Sequence, residues 1–165
     1  MKIAIACDHG AYEYKEMIKA MLEQEGHEVL DFGTDSTASV DYPDHALPCA
    51  QAVAKGEAER GIVLCGTGIG VSITANKVKG IRCALCSDPL SARLTREHND
   101  SNMLAMGQRI IGSELAKEIV HVWLSTPFSE GERHQKRIAK ITAIERLARA
   151  LRIPEAAVSE YSVCH

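Results

Sequence analysis

One stretch decides the fold of this 165-residue chain: Ile62-Val63-Leu64-Cys65-Gly66-Thr67-Gly68-Ile69-Gly70. Its apolar half predicts a buried strand, and the alternating glycines lead into a helical segment at 71–78. Cys65 is therefore expected where a strand stops and backbone N–H groups turn outward. Because helix N-termini attract anions and favour a thiolate, a reactive sulfur and an anion-binding turn should adjoin there.

Strand and helix signals alternate on both sides of this stretch. Apolar runs predict five strands, at 2–7, 27–32, 61–65, 82–87 and 102–106. Helical periodicity predicts helices at 12–25, 43–55, 71–78, 88–97, 113–125 and 132–151. This alternation is typical of an α/β fold, in which helices cover both faces of a parallel sheet. The long last helix carries an apolar stripe, which should cap the domain or pack on a second subunit.

Composition narrows the class of protein. The chain is 45% hydrophobic and 25% charged, as in an ordinary soluble domain, and its net charge of -3 gives no general attraction to nucleic acid or membranes. No apolar run approaches the roughly 20 residues that a bilayer requires. Six cysteines without the spacing of a disulfide scaffold favour reduced thiols in a cytoplasm. Cys83 and Cys86 form a CxxC on a predicted strand, where they should point to opposite faces, so a metal or redox pair is disfavoured.

The glycine loop departs from the known nucleotide motifs. Val71 stands where a dinucleotide fingerprint has its third glycine, and no Lys-Ser/Thr pair of a Walker loop follows. Two interpretations are left: a turn that only lets strand and helix pack closely, and an anion-binding turn beside a thiol. The three glycines and the cysteine at the strand end favour the second. Cys65 would then serve as a base or a nucleophile, whereas its structural alternative is an inert core thiol.

Other polar motifs also have two interpretations. Asp8-His9 follows the first strand and faces the same crevice as Cys65 if the first and third strands are neighbours; otherwise Asp8 is only a helix cap. His98-Asn99-Asp100 closes a helix, where a histidine also complements the helix dipole. Arg133 and Arg137 share a helix face and suit a phosphate, although such a run is equally expected on a solvated surface.

Together these residues resemble the B type of ribose-5-phosphate isomerase, within the family that also holds galactose-6-phosphate isomerase subunits and allose-6-phosphate isomerase. The resemblance runs from Lys2 to about Arg146. Its motifs, in chain order, are Ile5-Ala6-Cys7-Asp8-His9, Asp41-Tyr42-Pro43, Cys65-Gly66-Thr67-Gly68-Ile69-Gly70, Ala75-Asn76-Lys77, Gly80-Ile81-Arg82, His98-Asn99-Asp100-Ser101-Asn102, Gly107-Gln108-Arg109 and Arg133-His134-Gln135-Lys136-Arg137.

The resemblance implies a Rossmann-like three-layer α/β/α sandwich with a five-stranded parallel sheet and a long C-terminal helix. An isomerase domain would span residues 1–151, followed by a tail at 152–165 that extends past the usual family end. Family members are dimers or tetramers of dimers whose active sites draw on both subunits. They require no metal or organic cofactor, and the expected partners are a phosphorylated sugar and a second copy of the chain.

The resemblance also implies roles in the interconversion of ribose 5-phosphate and ribulose 5-phosphate through an enediolate. Cys65 would be the base that moves a proton between C1 and C2, and His98 the acid that opens the furanose ring. Asp8 would take the anomeric hydroxyl proton, and Thr67 would position substrate or thiol. The enediolate oxygens would be held by the glycine loop, which comprises Gly66, Thr67, Gly68, Ile69 and Gly70. The expected phosphate ligands are His9, Arg109, Arg133 and Arg137, with Tyr42 and Asn99 near the sugar hydroxyls.

Two other functions stay open at the level of sequence. A hexose 6-phosphate isomerase of the same family would need a roomier pocket, whose size the polar loop at 34–41 is expected to set together with Ile69, Val71 and Ser72. A non-catalytic sugar-phosphate sensor would keep the arginines and glycines but would not need Cys65 and His98 together. Their joint presence favours an enzyme.

Overall fold

A five-stranded parallel sheet forms the centre of the structure, in the order β2-β1-β3-β5-β4. The computed structural model describes residues 1–150, and side chains up to residue 147. The strands are β1 (Lys2–Cys7), β2 (Glu28–Asp31), β3 (Arg60–Cys65), β4 (Cys83–Leu85) and β5 (Met103–Gly107). The helices are α1 (Tyr12–Gln24), α2 (Tyr42–Ala54), α3 (Ile69–Ala75), α4 (Pro89–Asn99), α5 (Ser113–Ser125) and α6 (Glu132–Ala150), with a 3-10 turn at His9–Ala11. The predicted tail at 152–165 lies outside the described residues.

Helices cover both faces of the sheet because its strands alternate between two apolar clusters. Ile5 and Ile62 point to the face where α1 and α5 pack, around the fully buried Trp123. Ala6 and Val63 point to the other face, where small residues let α2 and α3 approach closely. These two layers of helix around one sheet confirm the predicted α/β/α sandwich.

The sheet order creates a crevice at the carboxyl ends of β1 and β3. From β1 the chain turns to β2 on one side, and then crosses to β3 on the other side of β1. Ligands bind at such reversals of strand order, because the loops on the two sides diverge and leave space between them. The sequence predicts that Asp8-His9 and Cys65 face the same crevice if the first and third strands are neighbours. β1 and β3 are direct neighbours, so this condition is met.

Some predicted element ends differ from the structure. Strand 82–87 shrinks to β4, because the side chain of Asn102 accepts the N–H of Arg82 at 2.8 Å and that of Asn76 accepts the N–H of Cys83 at 2.9 Å. Helix 71–78 begins earlier, at Ile69, and ends at Ala75. Cys83 and Cys86 pack into opposite apolar clusters, as their spacing predicted. No helix within residues 1–150 is both long and apolar enough to cross a bilayer.

Candidate active site

Two loops meet at the crevice between β1 and β3. The carboxylate of Asp8 is almost buried, and its Oδ1 accepts the N–H of Gly10 at 2.9 Å. The backbone of Gly10 passes so near the next loop that a Cβ there would lie 3.2 Å from the backbone nitrogen of Gly66. The loop after β1 therefore packs directly on the loop after Cys65.

Cys65 lies at the end of β3, with 5% of its surface exposed. Its Sγ accepts the N–H of Gly68 at 3.1 Å. Gly68 has a φ of 77°, and a Cβ there would lie 2.6 Å from Leu85 Cδ1 and 2.7 Å from the carbonyl carbon of Met106. Only glycine can hold this loop against β5, and the amide thus directed at the sulfur stabilises negative charge on it.

The other four described cysteines are neutral thiols. Burial raises the pKa of Cys7 to about 12, of Cys83 to about 12 and of Cys86 to about 11. Burial also raises the pKa of Cys49. All four are free thiols, and at neutral pH they stay protonated.

A phenol and a guanidinium flank the glycine loop. The ring of Tyr42 lies on Gly70, where a Cβ would sit 2.6 Å from Tyr42 Cζ. Arg109 lies over Gly66, where a Cβ would sit 3.2 Å from Arg109 Nε, and its backbone N–H donates to Gly66 O at 2.9 Å. The two glycines leave room for both side chains, so an exposed hydroxyl and a positive charge border the crevice.

His9 enters the crevice with a defined hydrogen bond. The N–H of Val40, in the polar loop at 34–41, donates to His9 Nδ1 at 3.2 Å. The neutral ring must then carry its proton on Nε2. Nearby, the exposed Thr67 accepts the N–H of Ile69 on its Oγ1 at 3.3 Å.

The remaining predicted site residues lie at the other edge of the sheet. Helix α4 runs antiparallel to the strands and ends with His98 and Asn99, whose carbonyl accepts Arg82 Nε at 2.8 Å. Arg82 directly precedes β4, so this helix end lies at the amino edge of the sheet. Cys65 is level with Gly107, the last residue of β5. The five residues of β5 separate the two edges by about 13 Å.

A cationic surface surrounds His98 at the amino edge. Its ring stacks on that of His134, with centroids 4.3 Å apart, and Arg133 and Arg137 flank His134 on α6. Desolvation, followed by the positive charges of His98, Arg133 and Arg137, lowers the pKa of His134. Within one chain the structure does not bring His98, Asn99, Arg133 or Arg137 together with Cys65.

Sequence reasoning missed residues that hold both edges in shape. A Cβ at Gly107 would lie 2.6 Å from Thr67 O, so only glycine at the end of β5 leaves room for the loop after β3. In the sequence, the motif Gly107-Gln108-Arg109 is the feature that points to this glycine. At the other edge Asp100 has a φ of 44°. Its carboxylate accepts the buried Arg96 Nη1 at 2.7 Å and Arg82 Nη2 at 3.3 Å, which fixes the turn after His98. Arg96 lies four residues before Asp100, the spacing of a helical ion pair.

The described part of the chain contains no group of three or more His, Cys, Asp or Glu residues placed to hold a metal ion. Its ionisable groups at the crevice include a thiol, a carboxylate, an imidazole, a guanidinium and a phenol. Fold and site define an α/β protein whose crevice, at the reversal of strand order, suits a small anionic ligand beside a cysteine.

Comparison with known proteins identifies the family. The sequence pattern of the ribose/galactose isomerase family matches residues 3–141. The ribose-5-phosphate isomerase B of Escherichia coli is 54% identical over 144 residues, which cover 87% of this chain and 96% of that protein. The D-erythrulose-4-phosphate isomerase of Pectobacterium atrosepticum is 46% identical over 79% of this chain and 87% of that protein. The structure of ribose-5-phosphate isomerase B from Clostridium thermocellum superposes with a TM-score of 0.88 at 53% identity, covering 90% of this chain and 99% of that one. The chain belongs to the ribose/galactose isomerase family, and it is an isomerase.

Proposed function

We propose that the protein interconverts ribose 5-phosphate and ribulose 5-phosphate through an enediolate, with Cys65 as the base. The observation that supports this most is the placement of Cys65 Sγ at the crevice, with the Gly68 amide directed at it and Asp8 and Arg109 on the adjoining loops. The proton next to a carbonyl is weakly acidic, so its removal needs a base together with groups that stabilise the forming oxyanion.

The steps follow from the residue types. His98 protonates the ring oxygen while Asp8 takes the anomeric hydroxyl proton, which opens the furanose. Cys65 thiolate then takes the proton from C2 and returns it to C1, while the hydroxyl proton of O2 passes to O1, and the amides of residues 66–70 hold the enediolate oxygens. Thr67 positions the thiol or substrate.

Binding of the remaining parts of the sugar uses charge and hydrogen bonds away from the reacting carbons. Three guanidinium groups and one imidazole bind the phosphate, whose binding energy orients the sugar: those of Arg109, Arg133, Arg137 and His9. Tyr42 and Asn99 lie near the sugar hydroxyls. No cofactor takes part in these steps.

A second copy of the chain completes this site. The amino edge with His98 is about 13 Å along β5 from the crevice of the same chain, too far for the hydrogen-bond contact that proton transfer needs. A homodimer in which each amino edge meets the partner's crevice forms two identical sites by symmetry. The apolar side chains of Ile144 and Leu147, 63% and 61% exposed on α6, supply surface for such contact. All five cysteines within residues 1–150 are free thiols, which fits a reducing cytoplasm.

Loss of the base tests the mechanism. Cys65→Ala should abolish exchange of the substrate C2 proton into heavy water, measured by NMR. Cys7→Ala is the matched control, because Cys7 ends the neighbouring strand but its thiol is buried and neutral. Exchange at the wild-type rate in Cys65→Ala would contradict the role of Cys65.

Two further variants separate ring opening from phosphate binding. His98→Asn should slow turnover of the cyclic sugar and spare an open-chain analogue; equal loss on both would contradict ring opening. Arg137→Ala should raise KM for phosphorylated sugars far more than for free sugars, and equal effects would contradict phosphate binding.

The length of the sugar is a separate question, because a relative 46% identical to this chain is named for erythrulose 4-phosphate. The alternatives within the family are galactose 6-phosphate and allose 6-phosphate. Purified protein should be assayed with EDTA present on four-, five- and six-carbon sugar phosphates. The highest kcat/KM for ribose 5-phosphate is expected; binding without turnover of any of them would favour a sensor.

A further inference from the structure

An ion pair that joins a buried lysine to an exposed aspartate lies beside the crevice, on the β2 side of β1. Lys15, in the first turn of α1, is 2% exposed, and its Nζ donates to Asp31 Oδ2 at 2.9 Å. Lys19 reaches the same oxygen from the surface at 3.0 Å, and Glu16 also contacts Lys15. Because burial of the Lys15 cation carries a desolvation cost, its pairing with Asp31 is weak evidence for a gain in stability and points to a role in placement.

The other carboxylate oxygen of Asp31 holds the start of the loop that follows β2. Asp31 Oδ1 accepts the N–H of Gly33 at 2.9 Å. Gly33 lies on the end of β1, where a Cβ would be 2.9 Å from the backbone nitrogen of Cys7, and Thr34 N–H donates to Cys7 O at 3.2 Å. Asp31 thereby fastens this loop to the residue that directly precedes Asp8 and His9.

The far end of the same loop reaches the ring of His9. Val40 N–H donates to Nδ1, which selects the tautomer with its proton on Nε2 and fixes the plane of the ring. An Nε2 proton held in a fixed direction can be donated to a phosphate oxygen. Both ends of the loop thus border the segment that carries Asp8 and His9. The ion pair holds the first of these two ends, through the hydrogen bond from Gly33 to Asp31.

We propose that Lys15 and Asp31 are positioning residues. They act through the loop that follows β2 to hold His9 in the tautomer and orientation that bind the substrate phosphate. This inference rests on the proposed function, in which His9 is a phosphate ligand. The alternative is that the pair only joins α1 to β2 and leaves His9 unaffected.

Three variants distinguish these roles. Lys15→Met removes the buried cation, and Asp31→Asn leaves a single side-chain oxygen to serve both Gly33 and Lys15. Lys19→Met is the matched control, because Lys19 contacts the same carboxylate from the surface. The readouts are the nitrogen NMR shifts of the His9 ring, assigned with His9→Gln, and the kinetic constants for ribose 5-phosphate.

Lys15→Met and Asp31→Asn should shift the His9 ring nitrogens toward a mixture of tautomers. They should raise KM by about tenfold with kcat within about twofold, because one charge-assisted contact to phosphate is weakened. Lys19→Met should match the wild type in both readouts.

The proposal is overturned if the His9 shifts and KM of these variants equal those of the wild type, or if Lys19→Met changes both equally. If Lys15→Met does not fold, Asp31→Asn decides by the same criteria. The spectra are recorded without substrate, so they report on His9 even if Cys65→Ala shows that the proposed reaction is wrong.

Discussion

Two inactive variants of this protein should recover activity when their subunits are exchanged. Cys65→Ala disables the crevice at the carboxyl edge, and His98→Asn disables the amino edge. Because β5 places these edges about 13 Å apart, the proposed reaction requires that His98 act with the Cys65 of a partner subunit, so that each site would combine the two edges of different protomers. In a mixed dimer one site then carries both changes and the other carries neither.

The expected recovery follows from counting these sites. After random exchange of equal amounts, half of the dimers are mixed and half of their sites are intact, so about one quarter of wild-type activity returns. The assay mixes the variants in mild denaturant, dilutes them, and follows isomerisation of ribose 5-phosphate at low substrate concentration. Mass spectrometry measures the fraction of mixed dimers in the same samples.

A second mixture provides the control. His98→Asn and Arg137→Ala change the same edge, so every site of their mixed dimer keeps one defect, and no recovery is expected. If the first mixture stays inactive although mixed dimers have formed, the shared site is refuted. Equal recovery in both mixtures would refute it as well.

Three further predictions concern packing, a buried hydrogen bond and pH. Gly107→Ala should inactivate the enzyme and lower the free energy of unfolding in urea by about 1–3 kcal/mol, because the added Cβ would meet the backbone of the loop after β3. Gly112→Ala is the control, because a Cβ at Gly112 would have no other atom within 4 Å, and it should change the free energy of unfolding by less than about 1 kcal/mol. Ser101→Ala should cost about 1–3 kcal/mol in the same assay, because the buried Trp123 N–H loses an acceptor at 2.9 Å; an unchanged urea midpoint would contradict this. Burial would raise the pKa of Asp31, but hydrogen bonds from two lysines and a backbone amide outweigh it and hold that pKa below its usual value, so the free energy of unfolding should fall as pH drops below about 4. Asp31→Asn should flatten this acid slope in urea titrations, and an equally steep slope would show that other carboxylates dominate.

Local patterns predicted the elements well, because hydrophobic periodicity depends on neighbours along the chain. Helix Ser113–Ser125 and strand Lys2–Cys7 have the predicted bounds. The error in β4 arose from two asparagine side chains that replace backbone partners: Asn102, 20 residues after Arg82, and Asn76, 7 residues before Cys83. Hydrophobic periodicity does not register such side-chain contacts. The burial of Lys15 could not be predicted from the sequence, because a lysine in an amphipathic helix is normally exposed. Lys15 is buried because β2 ends beside it and places Asp31 within reach.

The sequence by itself determined the alternation of strands and helices, the cysteine at a strand end, and the glycine turn that follows it. Only the tertiary structure decided that β1 and β3 are neighbours, so that Asp8 and Cys65 share a crevice. It also decided that His98 and Cys65 lie at opposite edges of the sheet. The reason is that α4 crosses back antiparallel to the strands, and hydrogen bonds between distant residues, such as Arg82 to Asn99, fix where its end comes to lie.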